Sequence, residues 1–446
     1  MLDRNTDLYT YDIYPKVVPV GKEVTITVRV LDPHLMSDIP FQASLYAMNG
    51  GLRPIIENLS CTPLELPQYG FTITVCLPTE QEYRIRIDYE NKVRPRAHLA
   101  IYAVEEDLLL RKPLIGDFHA HTFFSDGKQG PVFIAAEYRK NGYDFLSITD
   151  HRRRAPSMMA IDAYKELDIP FKLYPGEEVH PHGISTHVVN FASDNSANEF
   201  ALVAKSLDDV WNKAPSDEWV VEIEKVKAEL GELPEGVSAD EVASAMIVSK
   251  IIRDGGGMAI LAHPHWNYPV RNVPDQTTRY FLKEGMFDAL ELVGGMRWYE
   301  NHTQVAFYYQ LLSEGIRIPV VGSSDSHGVL PHPHPANKVA YFTEERTVLF
   351  AKENSREGII EAVKELYSTA ILKFEGQYPE VCGGTYRIYQ YAQFLLQNYF
   401  PMRDELYAVE GRLMLDYATG VPNAKEKLLQ AVEDHAYFEN KYFYRG

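Results

Sequence analysis

Between residues 113 and 334, one short apolar run after another is followed at once by a histidine, aspartate or glutamate, and this pattern constrains the fold most. Pro113-Leu114-Ile115 leads into Gly116-Asp117-Phe118-His119-Ala120-His121 and on to Asp126. The run 143–148 leads to Thr149-Asp150-His151, and Phe171-Lys172-Leu173-Tyr174 leads to Pro175-Gly176-Glu177-Glu178. Ser185-Thr186 precedes His187, the run 258–262 ends at His263, and 318–321 opens onto Gly322-Ser323-Ser324-Asp325-Ser326-His327. Helix-like stretches lie between them, at 132–141, 156–167, 241–254, 301–314 and 355–366. Buried strands alternating with helices read as a parallel α/β barrel or sheet. In a barrel, active sites form where the strands run out.

The residue types at those strand ends suit a divalent metal bound by mixed nitrogen and oxygen donors. His119 and His121 are two apart, so an extended backbone points both imidazoles to one face, and Asp325 and His327 repeat that spacing. One His-x-His pair is usually incidental; the repetition decides. Of fifteen histidines only His34, His98 and His435 lie outside 119–334, a sorting that scattered core histidines would not show. Arg152-Arg153-Arg154 directly follows His151, and guanidinium groups suit a bidentate grip on phosphate or carboxylate. Arg152 and Arg153 are therefore candidate substrate contacts, with Arg297 after the run 289–293 and His265 as weaker ones. Glu291, inside that run, reads as a supporting or structural carboxylate. Asp117 and Asp150 stand beside ligand candidates and could orient imidazoles by accepting their free N–H, or simply cap or solvate. The loop His332-Pro333-His334-Pro335 could line the pocket, while His180 and His182 read as unliganded.

Outside this region the pattern changes. In residues 8–110 Val24, Ile26, Val28 and Val30 alternate with polar neighbours, as do Phe71, Ile73, Val75 and Leu77, and Tyr83, Ile85, Ile87 and Tyr89. Half-buried strands separated by turn signals suggest an antiparallel, immunoglobulin-type β-sandwich over 1–110, joined by a link at 102–112. Residues 195–240 form a charged, mainly helical insertion in the barrel, a candidate lid or a surface decoration. Residues 376–446 read as a helical C-terminal extension rich in tyrosine, which with the sandwich offers itself as a homo-oligomer interface.

The chain carries 44 basic and 62 acidic residues, a net charge of −18, which disfavours long nucleic acid as a partner. Its start lacks an apolar h-region, and no run is long enough to span a bilayer. Three cysteines without CxxC spacing form no disulfide framework. A reducing compartment, the cytoplasm, is expected, with no membrane partner.

Residues 113–372 resemble the PHP (polymerase and histidinol phosphatase) superfamily of metal-dependent phosphoesterases. The resemblance is carried by His119-Ala120-His121, Thr149-Asp150-His151, Ala262-His263-Pro264 and Ser324-Asp325-Ser326-His327, in family order. It implies a distorted (β/α)7 barrel with two or three divalent ions, Zn, Mn or Fe, at its mouth. By position, the implied metal ligands are His119, His121, Asp126, His151, Glu178, His187, His263, Asp325 and His327. Glu178 is preferred to Glu177 because the family has Gly, one residue, then Glu. The implied catalytic residues are Asp325, His327 and Glu178, the last bridging two ions that share a hydroxide. The expected reaction is hydrolysis of a small anionic phosphomonoester or phosphodiester, in keeping with the lack of a Ser-His or Cys-His nucleophile motif. Cleavage of carboxylic or carbamate esters, as in carbaryl-hydrolase-type relatives, uses the same ligands. A non-catalytic, metal-stabilised binding protein would show metal-dependent stability without turnover.

Overall fold

A computed structural model of the chain describes residues 10–32, 41–65, 68–89, 97–203, 210–211, 213–267, 269–328, 342–373 and 377–445. The loop at 332–335 lies outside the described residues. The chain divides into two compact units: Met1–Lys112 with Gln390–Leu406 and Gln430–Gly446, and Pro113–Tyr389 with Tyr407–Leu429.

The first unit holds two four-stranded sheets. In one, Glu23–Val30 pairs antiparallel with both Tyr11–Tyr14 and Gly70–Cys76, and Thr62–Pro63 closes the far edge. In the other, Gln81–Tyr89 pairs antiparallel with Phe41–Ala47 and Ala97–Val104, and Val17–Pro19 runs parallel to the last. The alternation read from the sequence sends Val24, Ile26, Val28, Ile73 and Val75 from the first sheet, and Leu45, Ile85, Leu99 and Ile101 from the second, into one shared core. Full burial of each such side chain contributes about 1.5–3 kcal/mol. The expected link begins later than the sequence suggests, since residues 102–104 still belong to Ala97–Val104 and only then comes the short helix Glu106–Leu109. The C-terminal segment docks by backbone: the Lys16 N–H donates to Tyr442 O at 2.8 Å, and the Tyr444 N–H to Val17 O at 2.9 Å.

The second unit is a mixed α/β assembly with a six-stranded and a five-stranded sheet, neither closed on itself. The six-stranded sheet runs Lys172–Tyr174, Phe145–Ser147, Lys112–Asp117, Glu345–Ala351, Ser368–Leu372, Glu380–Cys382. The five-stranded sheet runs Gly176–Val179, Val188–Phe191, Met258–Leu261, Ala289–Val293, Val320–Gly322. Helices Pro131–Lys140, Ala155–Tyr164, Ala239–Asp254, Asp275–Lys283, Trp298–Ser313 and Arg356–Lys364 alternate with the strands. The strands are not all parallel, as the sequence pattern had suggested: Val188–Phe191 runs antiparallel to both of its neighbours. Only residues 180–187 separate it from Gly176–Val179, too few for the crossover of a dozen or more that parallel pairing needs. Gly116 lets Phe145 lie flat on its strand, because a Cβ there would fall 1.9 Å from the ring.

A buried ion pair anchors 407–429 in this unit. The Arg139 Nε donates to Glu410 Oε2 at 2.8 Å, and its guanidinium lies 3.3 Å above the centre of the Tyr407 ring. The Tyr407 hydroxyl in turn donates to Asp144 at 2.6 Å. Cys61, Cys76 and Cys382 are free thiols. Among the described residues no helix is long and apolar enough to cross a membrane.

Candidate metal centre

The ends of the second unit's strands are stitched together by backbone hydrogen bonds. The His121 N–H donates to Ser326 O at 2.8 Å, Thr149 N–H to Ala120 O at 2.8 Å, Arg152 N–H to Glu178 O at 2.9 Å, and Ala262 N–H to His187 O at 3.2 Å. Two buried carboxylates complete the frame. Asp117 accepts from the backbone N–H of His119 and of Ser324, both at 3.1 Å, and burial pushes its carboxyl up to about 7. Asp150 accepts from Thr122 N–H at 2.9 Å and from the Thr122 and Ser125 hydroxyls. These two carboxylates fix loops and do not orient imidazoles.

This frame converges three groups of donors. His121, Asp126, His151 and His327 form one, His119, Glu178 and His263 a second, and His119, His121 and Asp325 a third; within each group the donor atoms lie within 4.8 Å of one another. Glu178 joins the groups: its Oε2 is 3.5 Å from Nε2 of both His119 and His121, and its Oε1 is 3.3 Å from His263 Nε2. His187 joins through the same carboxylate, with Nδ1 2.6 Å from Oε1. All nine residues singled out from the sequence therefore converge. Glu177 points the opposite way, accepting from Asn190, Ser196, Asn198 and the Ala197 N–H at the start of helix Ala197–Ala201. Alternation along Gly176–Val179 thus decides between the two glutamates.

The donor set fits a cation on a specific ground. Glu291 Oε2 lies 2.9 Å from His119 Nδ1, so a neutral, metal-ligating ring carries its proton there and presents its Nε2 lone pair, whereas without a cation burial is outweighed by Asp325, Glu291 and Glu178, which hold the imidazole well above its usual range. That lone pair faces Glu178 Oε2 at 3.5 Å, Asp325 Oδ1 at 3.4 Å and His121 Nε2 at 3.2 Å. Acceptors facing acceptors in a buried site repel unless positive charge lies between them. The acid–base balance of the metal-free cluster points the same way. Burial opposes ionisation of Asp126, yet His151 and His327 carry its carboxyl far below the usual range. Burial likewise opposes charge on Asp325 and Glu178 and is likewise overcome, by His119 and His121 for Asp325 and by His151, His187 and His119 for Glu178. Burial disfavours a charged His151, but Glu178 and Asp126 outweigh it and raise the imidazole to about 10. His121, buried among cationic neighbours His151 and His327, falls to about 3. Protons on imidazoles here occupy the electrostatic place of a divalent cation, which would displace them.

Two ligand candidates sit on strained backbone, His263 at φ 26° and Asp325 at φ 45°, and Arg152 beside His151 is at φ 57°. Such positions cost about 1–3 kcal/mol each and persist where surrounding structure over-determines them.

The remaining candidates lie elsewhere. Arg152 donates to the carbonyls of His180 at 3.2 Å and Trp211 at 2.9 Å, and Arg153 is buried. Arg154 donates to Asp194 O at 2.7 Å. Arg297 opens helix Trp298–Ser313 with its side chain exposed against Tyr299. His265 is buried between Gln304 at 3.1 Å and Asp275 at 3.2 Å, outside the donor groups. His182 is exposed. The sequence underrated His180, which is buried, stacks on His187 with centroids 4.4 Å apart, and places Nε2 3.0 Å from His151 Nδ1. Trp211, from the insertion, also lies beside the donors, its ring centroid 5.1 Å from that of His151, and no local sequence pattern marks it. Trp219, by contrast, belongs to the core.

No family model matches this sequence, and no curated protein matches it. Among solved structures the chain is similar to PHP-like metal-dependent phosphoesterases. One is a two-domain protein from Bacteroides vulgatus containing a predicted PHP-like metal-dependent phosphoesterase, at 18% identity and TM-score 0.39, covering 59% of this chain and 66% of that one. This chain thus spans just under two thirds of that protein's length. A second, from Bifidobacterium adolescentis and assigned as a metal-dependent phosphoesterase, is 18% identical over 51% of this chain and 92% of that one, at TM-score 0.33. A Chromobacterium violaceum amidohydrolase with bound sulfate and no metal is 14% identical over 51% of this chain and 90% of that one, at TM-score 0.29.

Proposed function

We propose that the chain is a PHP-type metal-dependent hydrolase that cleaves a small phosphomonoester or phosphodiester. The observation that carries this reading is the convergence of three donor groups around one buried carboxylate, Glu178, with lone pairs facing carboxylate oxygens. His121, Asp126, His151 and His327 would hold one divalent ion and His119, Glu178 and His263 a second, while Asp325, grouped with His119 and His121, and His187, beside Glu178 Oε1, would complete the coordination around them. Divalent ions there would neutralise phosphoryl oxygens and supply water acidic enough to deprotonate near neutral pH. The chain's own part is positional. Glu291 fixes the His119 tautomer, Glu178 spreads its two oxygens across the cluster, and the stitched strand ends hold the donors before substrate arrives. Hydrolysis then adds water across the P–O bond, and the proton leaves with the departing alcohol.

The finer architecture belongs to the same proposal. The first unit is an immunoglobulin-type sandwich, and the two sheets of the second unit form a distorted (β/α)7 barrel. Side chains bridge one seam between those sheets, supporting this: the Gly322 N–H donates to Thr347 Oγ1 at 2.9 Å, and the Ser368 hydroxyl donates to Val320 O at 2.8 Å.

The test is an activity screen across phosphate, carboxylate and carbamate esters with added Mn2+, run beside Asp325→Asn. Phosphoester turnover lost in the variant is expected. Equal turnover in the variant would place the chemistry elsewhere, and turnover of carbamate or carboxylic esters alone would replace the phosphoester reading.

A further inference from the structure

Two adjacent glycines, Gly294 and Gly295, connect the end of strand Ala289–Val293 to helix Trp298–Ser313, and neither has room for a side chain. A Cβ on Gly294 would collide with Glu291 Oε1, and a Cβ on Gly295 would fall 2.7 Å from the Asp325 Cβ and 2.9 Å from its Oδ2. Neither glycine has a left-handed backbone, so contact and not conformation excludes the side chain. The turn is thus wedged between two carboxylates of the candidate metal centre. One is Glu291, which supports His119, and the other is Asp325, whose Oδ1 lies 2.9 Å from His121 Nε2 and 3.4 Å from His119 Nε2.

A single amide holds this turn. Asn301 is fully buried near the start of helix Trp298–Ser313. Its Oδ1 accepts from the Gly294 N–H at 3.0 Å, and its Nδ2 donates to Gly294 O at 3.0 Å, Met296 O at 3.3 Å and Glu345 Oε1 at 3.3 Å. Both backbone groups of Gly294 are therefore paired to one side chain, which also ties the turn to strand Glu345–Ala351. Three residues on, the buried Gln304 donates Nε2 to Glu291 O at 2.6 Å and to Leu292 O at 3.0 Å, and so fixes the strand from which the turn departs. A buried polar network with its members paired keeps one geometry, and opening it leaves backbone groups desolvated and unmet.

We propose that Asn301 is a positioning residue for the metal centre: it presses the Gly294–Gly295 turn against Asp325 and so sets where that carboxylate stands. This rests on the reading of the donor cluster as the metal site of a hydrolase and deepens it. The contact leaves little tolerance. With a methyl group at 295, Asp325 would have to retreat by about 1 Å to reach ordinary carbon–carbon contact. A misplacement of that size can cost about hundredfold in rate. Asp325 itself stands on strained backbone at φ 45°, a conformation that persists only where its surroundings enforce it.

The test uses Asn301→Ala and Gly295→Ala in the full chain, each alone and each combined with Asp325→Asn. Competition with a chromophoric chelator reads Zn2+ affinity, 4-nitrophenyl phosphate with added Mn2+ reads turnover, and urea unfolding of the metal-free chains reads the structural cost. Each single variant should weaken Zn2+ binding about ten- to hundredfold and lower kcat by a similar factor, with KM little changed. Combined with Asp325→Asn, either change should add only about twofold or less, because the group it positions has already been lost. Gly295→Ala leaves every hydrogen bond of Asn301 its partner, so it keeps the test open if Asn301→Ala folds poorly. Losses of equal size with and without Asp325→Asn, or losses matched by lower stability of the metal-free chain, would make Asn301 and the turn structural and overturn the proposal. Unchanged Zn2+ affinity in Gly295→Ala would overturn it as well. If no phosphoester is turned over while the affinity losses and their dependence on Asp325 persist, the phosphoester reading fails and the positioning role stands.

Discussion

Replacing Glu291 with glutamine should weaken metal binding ten- to hundredfold while sparing the fold. Glu291 is fully buried, with Oε2 2.9 Å from His119 Nδ1 and Oε1 3.2 Å from the His263 backbone nitrogen. Both neighbours are donors, and a carboxylate accepts from both. A glutamine of the same shape has one acceptor, so its amide N–H2 must face one of the two donors. Whichever way it turns, the His119 ring loses either its hydrogen bond or the charge that makes it a better ligand. Losing such a supporting carboxylate costs about 10–100-fold in affinity, or roughly 1.4–2.8 kcal/mol. Competition against a chromophoric chelator reads the affinity, and urea unfolding of the metal-free variant reads the structural cost. Unchanged affinity would refute the argument, as would a loss fully explained by a less stable metal-free fold.

Two further outcomes follow from groups remote from the metal. Glu410→Gln removes the nearer of two carboxylates facing the buried Arg139 and leaves only Asp144, 3.7 Å from its Nη1. It should destabilise the chain by about 3 kcal/mol in chemical denaturation, while an apolar pair in place of Arg139 and Glu410 should recover much of that loss. Burial pulls the Lys16 ammonium down to about 7, with Lys441 adding to the effect and Asp12 opposing it. Unfolded Lys16 titrates near 10.4, so between about 7 and 10.4 the unfolded chain holds a proton that the folded chain has shed, and this residue makes stability rise with pH. Below 7 its burial penalty is complete. Lys16→Met should therefore be more stable than the parent at pH 6 and should flatten that rise; a variant less stable at pH 6 with an unchanged slope would contradict it.

Much of the candidate metal centre could be read in the sequence because strand ends are short and their side-chain direction is fixed by alternation. That is why His119 with His121, and Asp325 with His327, converge as their spacing implies, and why Glu178 and Glu177 part. Long side chains on loops and helix starts carry no such constraint. Arg297 is spent at the head of Trp298–Ser313, His265 turns to Gln304 and Asp275, and Arg152 turns to carbonyls of residues 180 and 211. His180 and Trp211 gain their place only through tertiary approach, which no local pattern encodes. No histidine directly follows strands Glu345–Ala351 and Ser368–Leu372 and both begin with polar residues, so the pattern of strand ends does not mark them. Ser368 donates to Val320 O, and Glu345 Oε1 accepts from Asn301. The antiparallel return of Val188–Phe191 was, by contrast, available from the length of the connection alone.

The central claim is that the donors gathered around Glu178 hold divalent metal. Elemental analysis of the gently purified chain tests it directly, with predicted occupancy of two or three ions per chain, chiefly Zn, Mn or Fe. A chain that carries no stoichiometric metal, and takes up none when these ions are supplied, would contradict it.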